Sequence, residues 1–153
     1  MGYSHHWNRD GHDAQQIPQP QWDLLCATAQ QVFDHQTAAG VRLAGPDGTG
    51  QPVITSDVIA VNGASPASHE GFVLERIRTP DPEMDTLVIG GRPLGRMGHC
   101  KTQHMPYDQT VIAILVAAAD LIDGMNVESD GGPSAIANGR ALLDRISADT
   151  SDT

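Results

Sequence analysis

The sequence predicts an α+β domain in which an antiparallel-rich sheet packs against two or three helices. Three observations predict it. Tyr3, His5 and Trp7 alternate with Gly2, Ser4 and His6, the period-two pattern of a strand. Trp22, Leu25, Cys26, Ala29, Val32 and Phe33 recur at helical spacing, and the run from Val111 to Ala119 is apolar throughout, as a buried helix requires. Between them, short β-branched runs are separated by Gly, Pro and Asn, the punctuation of antiparallel strands. Runs of strands followed by helices belong to the α+β class.

In chain order, the opening strand is followed by a polar, turn-forming loop from Asn8 to Gln19. Pro20 suits a first helical turn, and the amphipathic helix it opens ends before Gly40. A brief strand at Val41–Ala44 runs into the turn-forming 45–50 segment, Gly-Pro-Asp-Gly-Thr-Gly. Val53–Val61 reads as one strand ending at the turn dipeptide Asn62-Gly63, and Gly71–Arg78 as the next, which predicts a hairpin across residues 62–70. Thr79–Asp85 reads as a proline-bearing acidic loop, and Leu87–Ile89 and Met97–Thr102 as two more strands around a turn at 91–95. The buried helix starts at Pro106 or Asp108 and closes with Gly124 in the C′ position. Asn126–Glu128 is a strand ended by Ser129-Asp130-Gly131-Gly132, and Ser134 caps a last helix with its stripe at Ile136, Leu142, Leu143 and Ile146. This predicts a single domain over residues 1–147 with a frayed tail at 148–153. The first and last strands each adjoin a helix, an order that allows them to lie centrally together as in ferredoxin-like folds.

At 153 residues the chain can bury one sizeable core. Nineteen acidic residues against nine basic ones give a net charge of −10, and the eight arginines are scattered along the sequence, which argues against duplex nucleic acid as a partner. The apolar run around Ile112 is too short to cross a membrane and meets Asp120. With two cysteines, Cys26 and Cys100, and no basic-then-apolar N-terminal stretch, the expected location is the cytoplasm. The low lysine and high Ala, Gly, Asp and Arg content matches coding bias from a GC-rich genome.

The densest chemistry lies at Gly98–Asp108, which holds the only lysine of the chain, Lys101. A lysine ammonium suits a phosphate or carboxylate, with hydroxyl bonds available from Thr102 and Tyr107. The plain alternative is a salt bridge to Asp108. Cys100 is a candidate nucleophile with His99, His104 or His69 as base, weighed against a packed thiol. His69-Glu70 and His5 are candidates for acid–base work. The 45–50 segment has glycine spacing resembling a phosphate loop but continues as Gln51-Pro52 where Lys-Ser/Thr is needed. The histidines lack the ligand spacing of a zinc site, so no metal or other cofactor is expected.

Taken together, Gly2-Tyr3-Ser4-His5-His6-Trp7, the 45–50 loop, Asn62-Gly63, His69-Glu70-Gly71-Phe72, Cys100-Lys101-Thr102 with Pro106-Tyr107-Asp108, and Ser129-Asp130-Gly131 resemble a family of small uncharacterised proteins of bacteriophages, plasmids and actinobacterial genomes. Its members begin with a Gly-Tyr-Thr-His-Tyr-Trp-like stretch and carry Cys-Lys-Thr shortly before Pro-Tyr-Asp. The resemblance covers nearly the whole chain and transfers no activity. This chain departs from it at Gln103-His104-Met105, where members carry basic residues, and at Gly132-Pro133, where they carry tryptophan.

The leading expectation is a protein that binds a small anionic ligand such as a nucleotide. Lys101, Thr102 and Tyr107 would hold its charged end, with Asp108 a further ligand-binding candidate on the same lip, while Asp47, Asn62 and Asp130 would bond its sugar or base edges and Tyr3, His5 or Trp7 would stack on its face. A phage association would make it a counter-defence protein sequestering a signalling nucleotide. The alternatives are a hydrolase using His5, His69, Glu70 or Cys100, and a partner-binding module without a small ligand. An exposed sheet edge is compatible with homo-oligomers.

Overall fold

The structure is a computed structural model that describes residues 3–151. Strand β1 (Ser4–Arg9) leads through α1 (Gly11–Gln15) into α2 (Gln19–Ala38). Strands β2 (Leu43–Ala44), β3 (Val53–Ile54), β4 (Val58–Gly63) and β5 (Phe72–Glu75) follow. Next come α3 (Pro82–Thr86), the short strands β6 (Val88–Ile89) and β7 (Arg92–Pro93), a 3-10 turn (Leu94–Arg96) and β8 (Met97–Lys101). The chain then forms α4 (Asp108–Leu121), β9 (Met125–Ser129) and α5 (Gly132–Ser151). All strand pairing is antiparallel, and the fold is of the α+β class.

The main sheet has the order β8-β1-β9, so the opening strand is central and β9 lies at an edge. It has three strands, all antiparallel, where a ferredoxin-like sheet has four with a parallel central pair. In the second sheet β4 pairs with β2, β3 and β5. Trp7 joins the two by an edge contact to Phe72, ring centroids 5.3 Å apart.

Helix α4 is the centre of the molecule. Thr110 to Ala118 are all buried, because α2 packs on it from one side and α5 from another, with β9 against it as well. An all-round apolar sequence is stable only in such a place. Helix α2 instead buries one stripe, Trp22, Leu25, Ala29, Val32 and Phe33, and Trp22 Nε1 donates to Thr55 O at 3.1 Å. Gly124, with φ +85°, turns the chain from α4 into β9, and its carbonyl accepts from Asp10 N at 2.9 Å. Among the described residues no helix is long and apolar enough to cross a membrane.

Several elements differ from the sequence reading. The expected loop at 8–19 is instead the end of β1, the short helix α1 and the start of α2. The expected strand 53–61 breaks at Thr55, whose Oγ1 accepts from Asp57 N and Val58 N and folds β3 back on β4. Asn62-Gly63 ends β4 rather than turning, so the β4–β5 hairpin closes over residues 64–71. Within the expected acidic loop, Asp81 caps α3 by accepting from Glu83 N and Met84 N, with Pro82 in the first turn. Strand β8 pairs with β1, while β6 finds its partner in β7. Helix α5 begins at Gly132 and runs through Ser151, so the expected tail is helical to that point, and residues 152–153 lie outside the described ones.

Gly98 illustrates how tightly the main sheet is packed. A Cβ there would lie 2.2 Å from Cε2 of Trp7, a buried ring that cannot step aside. Gly98→Ala is therefore expected to cost about 1–3 kcal/mol, read as a lowered urea midpoint.

Candidate functional site

The antiparallel register sets His5 of β1 between Cys100 of β8 and Ser129 of β9. Residues directly opposite on neighbouring strands share a face, and here it is the face toward α4. His5 is fully buried there. Its Nε2 lies 2.6 Å from Asp108 Oδ1, at the first turn of α4, and its Nδ1 lies 2.8 Å from Ser129 Oγ. An ionised carboxylate only accepts, so Nε2 carries the proton and Nδ1 accepts from the Ser129 hydroxyl. Ser129 Oγ in turn accepts from Gly131 N at 3.0 Å, and Thr102 Oγ1 donates to Asp108 Oδ1 at 2.5 Å. Hydroxyl, imidazole and carboxylate thus form one directed chain.

Burial pushes the Asp108 carboxyl up, but the hydrogen bonds from His5 and Thr102, with the favourable electrostatics of His5 and His104, outweigh it, and the group titrates below the ordinary carboxylate range. Its place in the first turn of α4 favours the anion too. A folded value below the unfolded one means the ionised group stabilises the fold above about pH 4, and that stability is lost as pH falls through the folded value. The urea midpoint of the native protein should accordingly drop more steeply below about pH 4 than that of Asp108→Asn. Parallel acid profiles would show that Asp108 carries no such linkage.

The loop joining β8 to α4 holds this chain in place. Gln103 and His104 both adopt left-handed backbone, φ 53° and 59°, which costs energy for non-glycine residues and persists only when neighbours fix it. Tyr3 supplies the fixing contacts. Its carbonyl accepts from Thr102 N and Gln103 N, its amide donates to Gln103 Oε1 at 3.1 Å, and its ring stacks on His104 with centroids 3.6 Å apart. The same ring meets His5 edge-on at 5.4 Å. On the other side, Asp130 Oδ2 accepts from Ser4 N, and Ser4 O accepts from Asp130 N, both at 2.9 Å.

Ser129 also lines a groove of about 630 Å³ between β9 and α5. Val127, Pro133, Ile136 and Ala137 make its walls apolar, and Arg140 stands at its side. The Arg140 charge is matched by a two-pronged pair with Asp120, one contact being Nη2 to Oδ1 at 2.8 Å. The residue whose hydroxyl meets His5 therefore borders a groove of ligand-binding size.

The structure brings His5, Tyr3, Thr102, Asp108 and Asp130 to one end of the main sheet, with a second set beside them. Cys100 is fully buried, its Sγ donates to Glu70 O at 3.4 Å, and burial, aided by Glu70, pushes the thiol up to about 12. Tyr107 is also fully buried, donates to Glu70 O at 2.5 Å, and is raised by burial. His69 Nδ1 donates to Lys101 O at 2.8 Å, and Glu70 Oε1 accepts from Lys101 N at 3.2 Å. Lys101 is half-buried, and its ammonium makes no ion pair with Asp108 or any other described residue. Thr102 and Tyr107, expected to offer hydroxyls to a ligand, thus have theirs engaged inside the protein.

The remaining candidates lie apart. Asn62 holds the β4–β5 loop together, donating to Pro46 O and His69 O and accepting from Gly63 N and His69 N. Asp47 closes its own turn through Thr49, whose amide and hydroxyl hold its carboxyl below the usual range. Trp7 is inside the core. Among the described residues no group of three or more His, Cys, Asp or Glu side chains is placed to hold a metal ion. Ser129 itself is read from the sequence as part of the segment that ends a strand and of the Ser129-Asp130-Gly131 resemblance motif, with no functional role, since no spacing rule connects it to His5.

The thiols separate cleanly by environment. Cys26 is partly exposed on α2, with its thiol raised by burial and by Asp23. Iodoacetamide should alkylate Cys26 in the folded protein and reach Cys100 only after denaturation. Native labelling of Cys100 would contradict its placement.

Fold and site together define an α+β protein carrying a hydroxyl–imidazole–carboxylate chain at the rim of an apolar groove. No family model matches the chain, and no curated protein or solved structure is significantly similar to it.

Proposed function

We propose that the protein is a hydrolase that cleaves acyl bonds with Ser129 as nucleophile, His5 as general base and Asp108 as the group that orients and charge-balances the imidazole. The observation that carries this is the unbroken chain from Ser129 Oγ through both His5 nitrogens to Asp108 Oδ1. A serine hydroxyl is a poor nucleophile until a base takes its proton, and the base works best when a third group fixes its tautomer. Here serine meets Nδ1 and the carboxylate meets Nε2, the reverse of the serine-protease attachment. The chemistry needs only one accepting and one donating nitrogen, which this ring provides.

Ser129 Oγ attacks the substrate carbonyl carbon while its proton passes to His5 Nδ1, and Asp108 stabilises the imidazolium so formed. That proton is then delivered to the departing oxygen or nitrogen, leaving an acyl ester on Ser129. A water molecule, deprotonated by His5 Nδ1, attacks this ester; the acid leaves, and Ser129 recovers its proton from the imidazolium. Backbone N–H groups of the first turn of α5, which opens at Gly132, lack intrahelical acceptors and are the type of donor that stabilises a carbonyl oxyanion. The apolar groove walls, the neutralised Arg140 and the net charge of −10 favour an uncharged acyl group over an anionic one.

This reading keeps His5 in the acid–base role expected of a hydrolase and moves the nucleophile from Cys100 to Ser129. The test is hydrolysis of p-nitrophenyl acetate, butyrate and octanoate by the purified protein. Turnover that vanishes in Ser129→Ala supports the assignment; an equal rate in that variant overturns it.

A further inference from the structure

A second cavity, of about 170 Å³, lies at the opposite end of β1 from Ser4, four residues beyond His5. Arg9, Arg78 and Arg96 all line it. These residues are scattered in the sequence, yet the β1 end, the chain after β5 and the 3-10 turn bring them to one place. Trp7 and Gly98 form part of the wall.

Arg9 is the unusual member. It is only 6% exposed, and its hydrogen bonds run to main-chain carbonyls, Nε to Ala14 O at 2.6 Å and Nη2 to Arg76 O at 3.1 Å. It forms no ion pair among the described residues. A buried cation without a direct ion pair is costly, and arginines in that position are normally paired with an anion. Burial lowers the Arg9 guanidinium to about 10, with Glu75 acting the other way and Arg78 reinforcing the shift.

The neighbours leave a local positive excess. Arg78 is matched by Asp85, Nη1 to Oδ1 at 2.9 Å, and its other donors reach Gln15 Oε1 and Gly95 O. Besides Asp85, whose carboxylate also feels Arg96, the cavity lining holds a single carboxylate, Glu75, whose Oε2 accepts from the Thr79 hydroxyl at 2.9 Å, so three guanidinium groups meet two carboxylates. In a protein of net charge −10, such a spot is where an anion would be drawn. The guanidinium fork matches the oxygens of phosphate, and the cavity is smaller than the pockets that enclose whole nucleotides.

We propose that this cavity binds one phosphate-sized oxyanion between Arg9 and Arg96, supplied as inorganic phosphate or as the end of a phosphomonoester. The site is separate from the Ser129 chain and does not depend on it. Thermal unfolding of the full chain, with inorganic phosphate or phenyl phosphate titrated against chloride at constant ionic strength, tests it. The expected result is a saturable rise in Tm with phosphate, an apparent affinity at least about tenfold weaker in Arg96→Ala, and no change in Ser129→Ala. A shift with both compounds assigns the site to a phosphomonoester end, and a shift with phosphate alone to the free ion. If neither compound raises Tm beyond chloride, or if Arg96→Ala binds like the native protein, the proposal is wrong.

Discussion

Ser129→Ala is expected to lower the rate of acyl-ester hydrolysis by about a thousandfold or more while costing no more than about 1–2 kcal/mol of stability. The two effects come from the same contact. On the proposed reading, removing Oγ deletes the group that attacks and accepts the acyl group, whereas structurally it deprives His5 Nδ1 and Gly131 N of one partner. Substitution of a nucleophile that acts as a unit with its base removes nearly the whole advantage of the unit. His5→Gln should fall by a similar factor in kcat, since Ser129 then has no base to take its proton. A thousandfold loss with a stability cost of no more than about 1–2 kcal/mol separates this account from a purely structural role for the chain, in which stability would change and activity would not.

Asp108→Ala is expected to have the largest effect on the fold, about 3–5 kcal/mol. The carboxylate is nearly buried and accepts from both His5 Nε2 and Thr102 Oγ1, two donors on fully buried residues. Deleting it leaves the imidazole N–H and the hydroxyl unpaired, and unpaired buried donors carry their full desolvation cost. It also loosens the start of α4, the helix on which α2 and α5 pack. Asp108→Asn keeps the shape and an accepting oxygen, so it should retain most of the stability. Its kcat should nonetheless drop by about 10²–10⁴, because a neutral amide neither stabilises the imidazolium nor fixes the tautomer. Urea unfolding of both variants, run beside the esterase assay, reads the two consequences separately.

How much of this was legible in the sequence depended on how local each signal is. Helices α2 and α4 were readable because their apolar spacing is a property of a dozen neighbouring residues. Strand β1 was readable from its alternation. The break at Thr55 was not, since a single hydroxyl accepting two amides converts an apparently continuous β-branched run into a hairpin. Asn62-Gly63 looked like a turn, yet long-range bonds to Pro46 O and His69 O hold Asn62 in a strand.

The candidate site divides in the same way. His5 and Asp108 each stood out by residue type, but their contact joins positions 103 residues apart and the Ser129 contact joins positions 124 apart. Only the pairing of β1 with β9, and the packing of α4 beneath them, makes one site of the three. The arginines repeat the lesson. Arg9, Arg78 and Arg96 are dispersed along the chain and share a cavity in space.

The most direct test of the central claim is covalent capture of the nucleophile. The 153-residue chain would be incubated with a fluorophosphonate, which phosphonylates activated serine hydroxyls with loss of fluoride, and then analysed by intact mass and peptide mapping. The account predicts one adduct, mapped to Ser129, absent from Ser129→Ala and strongly slowed in His5→Gln. No adduct on the native protein, or an adduct that persists in Ser129→Ala, would contradict it.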